Sequence, residues 1–176
     1  MQFLEWLQAW PFSEWVQVSE WGFPTLLSFH SIGLAVVVGI IVMLDARVLG
    51  FGRSFPVSTF ANLMPIAWLG FLVNFISGCL LFAADATKLV SNWPFLLKMA
   101  CVVAGIAVAW MMSRDLRFPD YQTASLQEAE TLGEPRVTGR LKLLAIASLL
   151  LWSGALIGGR LIAYVADHER MFKVDF

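Results

Sequence analysis

Residues 25–44 read TLLSFHSIGLAVVVGIIVML, and His30 is their only ionisable side chain. An α-helix rises about 1.5 Å per residue, so a run of this length crosses the roughly 30 Å hydrocarbon core of a bilayer. Pro24 lies before the run, and Asp45 and Arg47 follow it, which marks both of its ends. The stretch therefore predicts a transmembrane helix.

Three further apolar runs cover residues 60–84, 94–112 and 143–165. The chain of 176 residues is 59% hydrophobic and 14% charged, whereas soluble domains carry about 25% charged residues. This composition excludes an ordinary soluble enzyme, and 12 Lys and Arg against 13 Asp and Glu offer no basic surface for nucleic acid. We expect an all-α membrane protein with an antiparallel four-helix transmembrane bundle over residues 23–166 and a short tail over residues 167–176.

The segment before the first span, residues 1–22, contains eight Phe, Trp and Leu side chains among glutamates and glutamines, and it has no Lys or Arg. Trp is enriched at the headgroup layer because its ring is apolar while its N–H is a hydrogen-bond donor. The segment is therefore predicted to be an amphipathic interfacial helix that anchors the chain to the bilayer surface. A lid over a site at that surface, or a docking surface, is the alternative interpretation.

The distribution of Lys and Arg predicts the orientation, because positive residues near span ends stay on the cytoplasmic side. The two connections between spans one and two and between spans three and four carry seven of them, and the other side carries five. Both termini are therefore expected to face outward, which is the periplasm in a bacterial inner membrane.

Polar side chains inside the spans are few, and each costs roughly 2.5–3.5 kcal/mol on insertion scales. Counting residues from the outer boundary places His30, Lys98 and Arg160 at similar depth on three helices, with Asp85 closing the second span nearby. We expect these four to converge in the outer half of the bundle. Each also has a plainer interpretation: His30 as an interhelical hydrogen-bond partner, the two cations extending to headgroups, and Asp85 pairing with Lys88.

Helical spacing adds further residues to this region. The second span aligns small and polar side chains on one stripe, where a flat ligand is expected to fit, and the fourth aligns Ser153, Arg160 and Tyr164. The stripe on the second span consists of Gly70, Asn74, Gly78, Leu81 and Asp85. Asn74 is alternatively a hydrogen-bonding contact between helices, and Gly154 and Gly158 suit close helix packing.

Together these residues suit a membrane cofactor. An imidazole, two cations at similar depth and a glycine-lined stripe match the needs of haem b: an axial nitrogen from His30, partners for the propionates, and room for the porphyrin. The same residues suit a quinone, with His30 and Asp85 exchanging protons. The familiar catalytic motifs are absent from the sequence, so no catalytic residue is assigned.

Three segments carry a family resemblance. They are HSIGLAVVVGIIVMLDARVLG at 30–50, LFAADATKLVSNWPFLLKMA at 81–100 and SLLLWSGALIGGRLIAYV at 148–165. They resemble a family of small four-helix bacterial inner-membrane proteins of unknown function. The His-x-x-Gly first helix with a later Lys-bearing helix is more distantly similar to the haem-binding membrane protoporphyrinogen oxidases and to the membrane domains of copper-resistance D proteins. That similarity implies His30 as an axial ligand and Lys98 as a functional lysine, although residues 44–56 lack the further histidines of the oxidases.

We therefore expect a membrane redox component. Two alternatives stay open: a non-catalytic membrane subunit or anchor, and a transporter of a small molecule or metal. Transport is disfavoured because the cytoplasmic halves of the spans carry almost no polar residues and form an apolar floor. Association with a second copy or with other membrane subunits is expected through glycine-rich faces.

Overall fold

The computed structural model describes residues 2–52, 58–116 and 137–172, which form seven helices and no strand. The helices are α1 (Gln2–Gln8), α2 (Pro11–Val18), α3 (Gly22–Leu49), α4 (Ser58–Ala84), α5 (Ala86–Val90), α6 (Trp93–Leu116) and α7 (Gly139–Phe172). Four of them, α3, α4, α6 and α7, are long and apolar enough to cross a membrane. The all-α fold with four membrane-crossing helices is therefore confirmed.

The first long helix is longer than the apolar run that predicts it. It begins at Gly22 and ends at Leu49, so it includes Asp45 and Arg47. Pro24 is compatible with the first helical turn, whose N–H groups have no partner within the helix. The helix ends where Gly50 adopts a left-handed conformation with φ 102°, which glycine does at little cost.

The long helices pack as two antiparallel pairs. One pair is α3 with α4, the other is α6 with α7, and α3 and α7 join the pairs. By contrast, α4 and α6 hardly touch within the described part of the chain, apart from a ring stack of Phe82 on Phe95 with centroids 5.6 Å apart. The bundle is therefore closely packed along α3 and α7 and loosely packed between α4 and α6.

Glycines allow the close approach within each pair. A Cβ at Gly33 of α3 would lie 2.7 Å from the backbone nitrogen of Asn74 on α4, and a Cβ at Gly158 of α7 would lie 3.3 Å from the Pro94 carbonyl oxygen. A Cβ at Gly154 would lie 3.1 Å from the Cys101 sulfur on α6. Gly154 and Gly158 therefore serve packing inside the chain.

The N-terminal helices cover one end of the bundle, which we call the capped end and define by α1, α2 and α5. The Gln17 amide donates a hydrogen bond to the Ala84 carbonyl oxygen at 2.7 Å, and the Thr87 hydroxyl donates to the Gln8 side-chain oxygen at 3.0 Å. The four tryptophans of this segment point outward: Trp6, Trp10, Trp15 and Trp21. The segment is thus bound to the bundle while its aromatic side chains are available to lipid.

Large apolar side chains also cover the outside of the long helices. On α4 these exposed residues include Trp68, Leu69, Leu72, Phe75 and Ile76. A soluble protein rarely exposes a continuous apolar surface of this kind. The four long helices are therefore suited to contact a lipid bilayer.

At the end opposite the capped end, the expectation of an apolar floor is wrong. Asp45 and Ser148 are both 0% exposed, and Arg47 is buried as well. The first apolar run stops at Leu44, but α3 continues beyond it and carries Asp45 and Arg47 into the packed interior. Ser148 lies within the apolar run of α7.

Candidate functional site

The candidate site centres on His30 of α3, whose half-buried ring is bound to α4. Its Nδ1 lies 3.0 Å from the Asn74 carbonyl oxygen and 3.2 Å from the Ser77 hydroxyl. The Asn74 side-chain amide donates in return to the His30 carbonyl oxygen at 2.8 Å. The imidazole is therefore held in one orientation by the neighbouring helix.

These contacts bear on which ring nitrogen can bind a ligand. A carbonyl oxygen only accepts hydrogen bonds, so the shortest contact of Nδ1, 3.0 Å to the Asn74 carbonyl oxygen, favours the proton on Nδ1. In that form Nε2 carries a lone pair, and it has no hydrogen bond to any side chain or backbone group that the structure describes. A protein-bound Nδ1–H with a free Nε2 is the usual arrangement of a histidine that binds a metal.

The glycine stripe of α4 is filled by α3. A Cβ at Gly78 would lie 3.0 Å from His30 Cε1, and a Cβ at Gly70 would lie 2.8 Å from a Val36 methyl group. The missing side chains therefore make room for the His30 ring and for close packing of the two helices. A flat ligand lying on this stripe would have to displace the imidazole.

Lys98 is a charged side chain on α6 that packs against α7. It runs across Gly159, where a Cβ would be 3.7 Å from Nζ. Lys98 makes no hydrogen bond or ion pair with the described residues. A half-buried ammonium without an acidic partner is a suitable binding group for an anionic or carbonyl-bearing ligand.

Three other residues expected at the site lie on the surface. Tyr164 is 66% exposed, and Arg160 is exposed as well, although it directly follows Gly159 on α7. Asp85 forms an ion pair of 2.9 Å with Lys88, as its plainer interpretation predicted. The structure thus brings together His30, Asn74 and Gly78, and it places Lys98 on α6 against Gly159. It leaves Arg160, Tyr164 and Asp85 outside the buried part of the site.

Two polar residues of the interior were missed from the sequence. Ser77 lies three residues after Asn74, so helical spacing on the same stripe could have identified it. Ser148 looked like one small residue within an apolar run, and no local signal shows that it faces the carboxylate of Asp45.

In the part of the chain that the structure describes, His30 is a candidate metal ligand without a cluster of further ligands around it. Residues 2–52, 58–116 and 137–172 contain no cluster of three or more His, Cys, Asp or Glu side chains that could hold a metal ion. The cysteines, Cys79 and Cys101, are both free thiols. An iron bound at this site would therefore have His30 as its protein ligand within the described part of the chain.

The comparisons with known proteins add no relative. No protein family, curated protein or solved structure matches this chain. Function is therefore inferred from the chemistry of His30, Asn74, Ser77 and Lys98.

Proposed function

We propose that this chain is an integral membrane redox component that binds haem b in the half of the bundle next to the capped end. The observation that carries the proposal is the contact of 3.0 Å between His30 Nδ1 and the Asn74 carbonyl oxygen. It holds the proton on Nδ1 and leaves the Nε2 lone pair for iron. The haem would supply reversible one-electron exchange.

Lys98 supports the same proposal. A haem carries two propionates, and protein cations commonly bind them through charge-assisted hydrogen bonds. Lys98 has no acidic partner among the residues described, and its side chain lies on Gly159, the residue before Arg160. These two cations would hold the propionates. The distant resemblance of the sequence to haem-binding membrane oxidases agrees with this assignment.

The absorption spectrum of the purified protein tests the haem proposal. The chain has only two histidines, so His168→Ala is a matched control for His30→Ala. After expression with added haem, we expect a Soret band in the wild type and in His168→Ala, and its loss in His30→Ala. His30→Gln, whose amide can keep a hydrogen bond to α4, should lose the band while the protein stays folded. A wild type without a Soret band, or a band of equal strength in both His30 variants, would overturn the assignment.

A quinone is the second candidate, and the Asn74 side chain favours it. Its amide nitrogen lies 3.3 Å from His30 Nδ1 and can donate to that nitrogen when the ring proton is on Nε2. A ring that can hold its proton on either nitrogen suits a quinone, which takes up two electrons and two protons to become a quinol. Lys98 would donate a hydrogen bond to a quinone oxygen.

The quinone proposal is tested by the quinone content of the protein purified in mild detergent. We expect less quinone per protein in Lys98→Met and His30→Gln than in the wild type. Lys88→Met is the matched control, because Lys88 lies at the same end of the bundle but pairs with Asp85 on the surface. Equal quinone content in all four proteins would refute this candidate.

We also propose a bacterial inner-membrane location with both termini in the periplasm. The support is the excess of Lys and Arg in the two connections opposite the termini, seven against five. A C-terminal alkaline phosphatase fusion should be active and a C-terminal green fluorescent protein fusion should be dark, and the reverse result would invert the topology.

Association with a second copy or another membrane subunit stays a prediction, and the mass of the detergent-solubilised particle tests it.

A further inference from the structure

A second set of buried polar side chains lies at the end of the bundle opposite the capped end, and it is separate from the site around His30. Asp45 of α3 and Ser148 of α7 are both 0% exposed, and Ser148 is the polar neighbour of the Asp45 carboxyl group. Neither Asp45 oxygen makes a hydrogen bond, and neither does the Ser148 hydroxyl. The buried core at this end is otherwise apolar and consists of Leu44, Val48, Met112, Leu141 and Ala145.

A bare carboxylate is unfavourable in such a place. Burial removes its hydration, and the loss is recovered only by a counterion, by hydrogen bonds or by protonation. Arg47 lies two residues further along α3, which is about 200° around the helix, so the two side chains do not face each other. Since neither Asp45 oxygen accepts a hydrogen bond, the Arg47 guanidinium does not donate to the carboxyl group.

A metal cation does not suit the pair either. Hard cations such as Ca²⁺ and Mg²⁺ take six or more oxygen ligands. The side chains here offer two carboxyl oxygens and one hydroxyl, while the nearby carbonyl oxygens belong to the continuous helices α3 and α7. A proton is then the remaining small cation that can neutralise the Asp45 carboxylate.

We propose that Asp45 is a proton-binding site, in which the carboxyl group is held as the neutral acid beside the Ser148 hydroxyl and exchanges its proton with solution at this end. Asp45 lies four residues before Leu49, the last residue of α3, which places it about 6 Å from the helix end. It lies 15 residues from His30, roughly 22 Å along the helix. The site is therefore separate from the candidate redox site and does not depend on it.

Among residues 2–52, 58–116 and 137–172, no charged group makes a hydrogen bond to Asp45. From α6 the buried layer contains Met112, and from α7 it contains Ser148 with apolar neighbours. The charged side chains that α6 and α7 carry at this end are exposed: Arg114, Asp115, Arg140 and Lys142. The carboxyl group thus faces a hydroxyl and an apolar core.

Infrared spectroscopy of the full-length protein in detergent tests the proposal directly. A protonated carboxylic acid has a carbonyl stretch that is distinct from the bands of ionised carboxylates. We expect this band at mildly acidic pH in the wild type and its loss in Asp45→Asn. Asp115→Asn is the matched control, because Asp115 lies at the same end but forms a 3.4 Å ion pair with Arg140. The band should remain in that control.

Exchange and stability complete the test. Transfer to D₂O should shift the band, because the proposed proton equilibrates with solution. Asp45→Asn should unfold at nearly the wild-type temperature, since an amide replaces a neutral acid of almost equal shape. The proposal is overturned if the wild type lacks the band, if Asp45→Asn retains it or fails to fold, or if D₂O leaves the band unshifted.

Discussion

Gly33 and Gly39 lie six residues apart on α3, yet only Gly33 touches another helix. A Cβ at Gly33 would lie 2.7 Å from the Asn74 backbone nitrogen and 2.8 Å from the Gly70 carbonyl oxygen, whereas a Cβ at Gly39 would have nothing within 4 Å. The atoms that oppose Gly33 are backbone, so no side chain can rotate to relieve the contact. Gly33→Ala therefore has to push α3 and α4 apart.

The size of the effect follows from two opposing contributions. Alanine favours the helix over glycine by about 0.5–1 kcal/mol at either position. At Gly33 the extra methyl group also overfills a packed interface, which costs about 1–3 kcal/mol. We expect Gly39→Ala to be slightly more stable than the wild type and Gly33→Ala to be less stable. The propensity contribution is common to both variants, so their difference of about 1–3 kcal/mol reports the interhelical contact alone.

Reversible unfolding in mixed micelles, with increasing denaturing detergent, measures this difference. Each 1.4 kcal/mol changes the unfolding equilibrium constant about tenfold. Helix content by circular dichroism confirms that both variants reach a folded state. Equal stability of Gly33→Ala and Gly39→Ala would show that the two helices do not meet at Gly33, and the described α3–α4 interface would be refuted.

Three further predictions concern single contacts. Trp152 is buried, and its indole N–H has no hydrogen-bond partner among the described residues. Trp152→Phe should therefore cost far less stability than the roughly 3–5 kcal/mol expected for Trp152→Ala. Thermal unfolding compares the two variants, and equal losses would contradict the purely apolar role of the ring. Gln17→Ala removes the hydrogen bond to the Ala84 carbonyl oxygen, which contributes about 0.5–1.5 kcal/mol. The N-terminal segment should then be cleaved faster by a protease, and an unchanged cleavage rate would argue that this bond does not hold the segment to the bundle. Asp85→Asn breaks an exposed ion pair with Lys88, so the free energy of unfolding in micelles should change by less than about 1 kcal/mol. A larger loss would indicate a buried role for Asp85.

Much of the architecture could be predicted because it depends on local properties of the chain. An apolar run of about 20 residues forms a helix in lipid, since every backbone polar group must be hydrogen-bonded inside the segment. The residues at which the helices end were less predictable. Asp45 and Arg47 marked the end of an apolar run, but charged residues are compatible with a helix, and α3 continues to Leu49 before Gly50 ends it.

The candidate site was only partly predictable for a related reason. Counting residues along each helix gives depth, and it predicts that His30, Lys98 and Arg160 lie at a similar level of the bundle. Depth does not give the direction of a side chain around the bundle. Arg160 is exposed, and so is Tyr164 one turn further along α7, because this face of the helix turns away from the interior.

An all-helical chain with four helices long and apolar enough to cross a membrane follows from hydropathy and length, which are summed along the chain without reference to neighbours. Which polar groups meet depends instead on how the helices pack. Close packing at Gly33 and Gly70 brings His30 against Asn74, and the pairing of α3 with α7 buries Asp45 beside Ser148. The physical reason is that the energy of a polar group in a membrane protein depends on its partner, and the partner comes from another helix far away in the chain.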